Sequence, residues 1–429
     1  MKKSTSPKNF KFIRTVGTIT EYQHKKNGLS VLYANFPGTG VVTTNITYLV
    51  GSRDEVTGET GLAHMLEHML FKPTKSDLKQ RQGSGAMRFE REVGVHLNAN
   101  TWKDRTTYHF SMAKEDLDRA LRIEADRMHN VVLTNKEFLP ERSNVLSEFD
   151  MYNGRPDFAL AVAMTTAAFQ AHPYHHETIG FREDIAAYTI EQVKNFYDRF
   201  YRPNNAVLMI FGDVSAHEAL EAVNRHFSHL TPGEPIVRHK TTEPQQEGVR
   251  RVEVERPGTV NLLSLGIRHD GFTTAGWLET YAIGTILTDG VDAILNKALV
   301  DTGLVTTIDF CIEPLRDPNL ATFNLTIAGK STHADIEKRV LKIISEVDAN
   351  TLNKKLKGLL PRLKKQEAFE RASSLGLAMD LTEYVASGDW TNYDKHHKLI
   401  QGLTGKKLKD RLDEAFKYKN LTIGYYRSI

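Results

Sequence analysis

His64 and His68 stand four residues apart in the run Gly61-Leu-Ala-His64-Met-Leu-Glu67-His68-Met-Leu70, and Glu67 directly precedes the second histidine. At 3.6 residues per turn the two imidazoles stack on one helix face, and Glu67, three on from His64, lies beside them. Two neutral imidazoles so placed bind zinc, and an adjacent carboxylate takes a proton from the attacking water. The order H-x-x-E-H inverts the better-known H-E-x-x-H arrangement. In a chain with 17 histidines such a run also arises by chance, as two surface histidines with an incidental glutamate. The neighbours argue against that. Ala63, Leu66, Met69 and Leu70 are apolar, so the helix is expected to be largely buried, where imidazoles and a carboxylate are costly unless something pairs them.

A hydrolytic zinc takes three protein ligands and leaves one position for water, so a third donor must come from elsewhere. The stretch Thr134–Phe149 offers Glu141 and Glu148, seven residues or two helical turns apart on one face. Val145, Leu146 and Phe149 supply much of its apolar side. Thr134 with Glu137 reads as a capping box, and Pro140 suits a first helical turn. A glutamate pair at this spacing equally describes a solvated helix face.

H-x-x-E-H followed by E-R-x-x-V-x-x-E from Glu141 to Glu148 resembles the pitrilysin/insulinase family of zinc metallopeptidases, the inverzincins. The resemblance implies zinc (Zn2+) as cofactor, Glu148 as third ligand, and Glu141 as a second carboxylate supporting the site. Asn98-Ala-Asn-Thr101 with Asp104, Thr107 and Tyr108 is similar to the family's N-A-x-T strand, an edge strand to which an extended peptide adds. That makes Asn98 and Ala99 candidate substrate-binding residues, although Asn98 is equally a turn or strand-end asparagine. His172-Pro-Tyr174 and Tyr201 through Val214 match later signatures. The gap from His68 to Glu148 is slightly longer than usual, with the extra residues expected in the polar loop Arg81–Ala86.

A shift of 215 residues pairs three segments of the chain. Gly61–His68 falls on Gly276–Ile283, Tyr108–Ala113 on Phe323–Ala328, and Ile185–Leu208 on Ile400–Ile423. One offset recovered three times indicates internal duplication. Where the first copy has His64, Glu67 and His68, the second has Glu279, Ala282 and Ile283, so it is a structural and substrate-binding copy. The polar, Pro-rich stretch between them reads as a linker. The expected organisation is a zinc-bearing domain over 1–232, a linker over 233–248, and a homologous domain without the zinc motif over 249–429. Alternating runs such as Val42–Val50 read as strands, and Asp116–Met128 and Glu191–Phe200 as amphipathic helices. The fold class is therefore α+β, two homologous domains of mixed sheet plus helices. The resemblance implies that these form half of a clam-shell peptidase.

At 429 residues the chain can bury two cores, and its 40% hydrophobic and 25% charged content is that of a globular protein. A net charge of +3 is too small to argue for nucleic acid. The single cysteine, Cys311, cannot form an intrachain disulfide and has no catalytic motif around it. No membrane span is expected. The first ten residues carry positive charge but no apolar core, which favours the cytoplasm, with the periplasm open if a leader was removed. In His172-Pro-Tyr-His175-His176 a polar loop is a better reading than a second metal.

Active family members also hold the substrate carbonyl with an Arg and a Tyr near a Gly-Leu-x-Tyr stretch. Here that stretch corresponds to Leu299–Thr307, with Leu299 and Thr306 in the two places. The resemblance therefore implies a zinc endopeptidase acting on peptides or unfolded segments, as the zinc-bearing member of a heterodimer whose homologous partner supplies the Arg/Tyr pair, or as a homodimer. The alternative is a non-catalytic core subunit derived from the same family.

Overall fold

The computed structural model describes residues 8–80, 83–238, 241–329 and 331–429. Their strands form two sheets. The first contains β1 (Phe10–Val16), β2 (Ile19–His24), β3 (Ser30–Asn35), β4 (Val41–Tyr48), β5 (His96–Thr101), β6 (Thr106–Ala113) and β7 (Ala206–Gly212). Their order is β1-β2-β3-β7-β4-β6-β5. The second contains β8 (Arg250–Arg256), β9 (Leu262–His269), β10 (Val305–Cys311), β11 (Asn319–Ile327) and β12 (Leu421–Ser428), in the order β10-β11-β9-β12-β8.

The five-strand run β3-β7-β4-β6-β5 is repeated by β8-β12-β9-β11-β10, down to the parallel pair at its start. The duplication visible in the sequence is thus a duplication of topology. Single elements follow the expected periodicities, with helices at Leu117–Asn130 and Ile190–Phe200. Thr189 starts the second of these with a capping box to Gln192. The expected helix at Thr134 begins at Asn135 and runs to Asn153, so Pro140 sits in its second turn and not its first. The Arg81–Ala86 loop is only partly described: residues 81 and 82 lie outside the described residues, and from Gly85 to Val93 the chain is helical.

By compactness the chain forms two units, one of residues 1–147, 178–239 and 368–391, the other of 148–177, 240–367 and 392–429. The division at 147/148 falls inside the unbroken helix Asn135–Asn153, which is described with the first unit. The units interleave because each sheet is covered by a helix from the other half of the sequence. Ser374–Ala386 packs on β4 and β7 of the first sheet, and Pro156–Ala168 on β8, β9 and β12 of the second.

The second sheet makes room for its helix with Gly266 and Gly424. A Cβ at Gly424 would meet the Met164 sulfur at 2.6 Å and a Leu160 methyl at 2.9 Å. The first sheet uses hydrogen bonds instead. Thr43 Oγ1 lies 2.9 Å from Ser374 Oγ, and Asn45 Nδ2 donates to Thr382 Oγ1 at 3.1 Å. Asn45 Oδ1 in turn accepts from Thr107 and Thr47 at 2.7 and 3.1 Å, all fully buried. Asn45→Ala removes a buried partner from all three hydroxyls and leaves them only the Ala378 and Ile46 carbonyls and the Thr47–Thr107 contact. It should lower stability by about 1–3 kcal/mol, read as a fall in the urea midpoint. An unchanged midpoint would show that the seam carries no weight.

Candidate metal centre

The histidine motif forms a helix over Leu62–Met69 that begins by close backbone contact. Gly61 has φ of 93°, and a Cβ there would lie 2.5 Å from the Ile179 carbonyl oxygen. Glycine is therefore required, but it has no side chain to cap the helix. Glu55 does so from six residues upstream. Its two carboxylate oxygens accept from the N–H groups of Gly61 and Ala63, each at 2.8 Å. Negative charge at a helix N-terminus is favourable, and the backbone donors are satisfied.

Leu62, Ala63, Met65, Leu66 and Met69 are buried, which turns His64, Glu67 and His68 together onto the half-buried face. The imidazole rings meet edge to face, centroids 4.8 Å apart. Two turns beyond Glu141, Glu148 joins them. One ligand atom from each of His64, His68 and Glu148 lies within 4.8 Å of the others. Among the described residues this is the only group of three or more His, Cys, Asp or Glu close enough to hold a metal.

Glu141, buried in the same helix, faces His68: its Oε2 is 3.3 Å from Nδ1, so Nε2 is the nitrogen His68 can present to a metal. Lys72, four residues after His68, donates to the other Glu141 oxygen, and Asn144 donates there at 3.2 Å. Burial alone would raise the Glu141 pKa. The Lys72 ammonium, with His68 and Asn144, outweighs it and holds the carboxyl below the usual range.

Glu67 is held from the sheet. Thr101, the last residue of β5, donates its hydroxyl to Glu67 Oε2 at 2.5 Å. Behind them the buried phenols of Tyr108 and Tyr201 lie 3.1 Å apart. Burial pushes both well above the ordinary tyrosine pKa, and the Glu67 charge adds to this, so they stay neutral donors. β5 is the outer strand and pairs only with β6 among the described residues. Asn98 and Ala99 sit on it, with Asn98 Oδ1 accepting from the Ala99 N–H at 2.9 Å.

Two imidazoles, a carboxylate and no nearby cysteine suit zinc with a position to spare, and a hydrogen-bonded carboxylate behind one imidazole is its usual support. Sequence reasoning missed Glu55, Lys72 and the role of Thr101. Lys72 was within reach from its spacing of four after His68, and the chain places it there in the turn that follows the helix. Glu55 and Thr101 carry no such signal.

In the second unit, Ala282 and Ile283 are buried in the helix Ala275–Thr288, and Glu279 accepts from Arg411 at 3.3 Å. The helix that carries histidines in the first copy carries an ion pair in the second. Leu299 is buried, and Thr306 is exposed on the outer strand β10. His172 is bound locally, with Nε2 3.3 Å from Asp317 and Nδ1 accepting from Tyr174 N–H.

Comparison with known proteins agrees with this architecture. Residues 30–181 match the insulinase (peptidase family M16) domain, and 187–360 the peptidase M16 inactive domain. The chain is 32% identical over 389 residues to the zinc protease PqqE of Helicobacter pylori, covering 88% of this chain and 84% of that one. It is 29% identical over 222 residues to a probable mitochondrial-processing peptidase subunit beta of Schizosaccharomyces pombe, about half of each chain. The crystal structure of a protease from Helicobacter pylori superposes with a TM-score of 0.88 at 26% identity, covering 98% of this chain and 100% of that one. Pitrilysin shares the fold, with a TM-score of 0.76 over 98% of this chain and 46% of its own. No described helix is long and apolar enough to cross a membrane. With its repeated sheets and an M16 domain matched in each half, the chain belongs to the insulinase, or M16, family of zinc proteases.

Proposed function

We infer that this chain is a zinc metalloendopeptidase and the zinc-bearing subunit of a two-chain enzyme. The observation that carries the reading is the convergence of His64, His68 and Glu148 beside Glu67. These three side chains would hold zinc, which supplies Lewis acidity toward a peptide carbonyl and lowers the pKa of water toward ~7. Glu67, oriented by Thr101, takes the proton of the attacking water and returns it to the leaving nitrogen. Glu141 orients His68 and is itself fixed by Lys72. The substrate, an extended peptide, adds to the outer edge of β5, where the Asn98 side chain must release the Ala99 N–H. Relatives named zinc proteases support the metal and the activity, and one named a subunit supports assembly with a second chain.

Metal analysis of the purified chain tests this directly. The wild type should carry about one zinc. His64→Ala and Glu148→Gln should lose most of it, and Glu141→Ala should weaken zinc binding by about 10–100-fold. Full metal retention by both ligand variants would rule out the coordination set.

A further inference from the structure

Arg105 lies just past the turn that follows β5, and its side chain is 4% exposed. The turn is closed by the Trp102 N–H donating to the Arg105 carbonyl at 2.8 Å. From there the guanidinium folds back over the strand. Nη1 donates to Asn100 at two points, Oδ1 at 2.6 Å and the carbonyl at 3.3 Å. Nε donates to Glu383 Oε1 at 3.0 Å, and Nη2 reaches the same oxygen. A buried guanidinium without its carboxylate is an uncompensated charge, so Glu383 is what keeps Arg105 in this position.

Glu383 sits on Ser374–Ala386, the helix that the C-terminal half of the sequence lends to the first unit. Asn100, which Arg105 clamps, immediately precedes Thr101, the donor to Glu67. Hydrogen bonds thus run from Glu383 through Arg105 to Asn100, and the backbone joins Asn100 to Thr101, whose hydroxyl reaches the carboxylate that moves the proton.

We propose that Glu383 and Arg105 are positioning residues for proton transfer: they hold the end of β5 so that Thr101 aims Glu67. The proposal rests on the reading of Glu67 as general base. It assigns the C-terminal half a part in the chemistry of the zinc-bearing unit besides substrate binding. A loosened strand end leaves metal, ligands and most of the peptide-binding edge in place, so the loss appears in turnover and not in affinity. Positioning errors of a fraction of an ångström are enough for that.

The test uses the full chain purified from its host with any chain that accompanies it, assayed on an unstructured peptide. Glu383→Gln should keep zinc and lower kcat roughly tenfold with KM within about twofold. Glu383→Asp should recover part of the loss. Thr101→Val should give a similar loss, and the double variant should be no worse than the lower single, because both act through one contact. Amide exchange at Trp102 in the metal-free chain should accelerate in Glu383→Gln while that of β4 does not. If Glu383→Gln proves too unstable to assay, Glu383→Asp alone should show the same selective fall in kcat. A normal kcat in these variants, or losses that multiply in the double variant, would overturn the proposal while leaving Glu67 as base. Full turnover by Glu67→Gln would remove the general base and this proposal together.

Discussion

Glu67→Gln should lower turnover by about 10²–10⁴-fold and leave one zinc per chain in place. The substitution keeps the size of the side chain and its carbonyl oxygen, which still accepts the Thr101 hydroxyl seen at 2.5 Å. It removes the one property the reaction needs, a basic oxygen that takes a proton and gives it back. Because His64, His68 and Glu148 are untouched, metal content should match the wild type and KM should change little. Initial rates on a quenched fluorescent peptide, with zinc measured on the same sample, separate the two roles. A Glu67→Gln enzyme within a few-fold of wild type would assign the proton to another group. Loss of zinc along with activity would make Glu67 a structural residue of the centre.

The second large effect concerns the partner. The places where the family's carbonyl-holding Arg and Tyr would fall are Leu299, buried, and Thr306, exposed. Neither is a cationic or phenolic donor, so on the proposed reading those two places leave the developing oxyanion without the donors a partner would bring. Losing one such donor costs ~10²–10³ in turnover. The purified chain should therefore bind zinc yet cleave unstructured peptides poorly. Adding a homologous chain that carries the Arg/Tyr pair should restore the rate, saturating at one to one. Changing that arginine in the partner to alanine should abolish the rescue without preventing association. Full peptidase activity from this chain alone, indifferent to any partner, would show that another residue supplies the donor.

Much of the centre was legible because helical periodicity is local. His64, Glu67 and His68 had to share a face once the run was helical, and Glu141 and Glu148 had to share another. The doubled topology was legible for a related reason: a constant offset survives in sequence wherever strands and helices keep their lengths. The Pro140 reading conflicted with the Thr134 cap: a helix that starts at Asn135, as this one does, has its proline in the second turn.

Other determinants were not legible, and each depends on residues far apart in the chain. Glu55 caps the histidine helix across a loop, and Thr101 reaches Glu67 from a strand end more than thirty residues on. Glu383 meets Arg105 only because a helix from the last sixty residues packs on the first sheet. Nothing in a linear pattern distinguishes that glutamate from a solvated one. The sequence by itself determined the grouping of the candidate metal ligands, the duplication and the copy in which those residues fall, since these depend on residue type and short-range spacing. Tertiary structure alone decided which helix covers which sheet, and with it what holds Glu67 and Arg105, because burial of complementary apolar and hydrogen-bonding surfaces selects partners without regard to their separation along the chain.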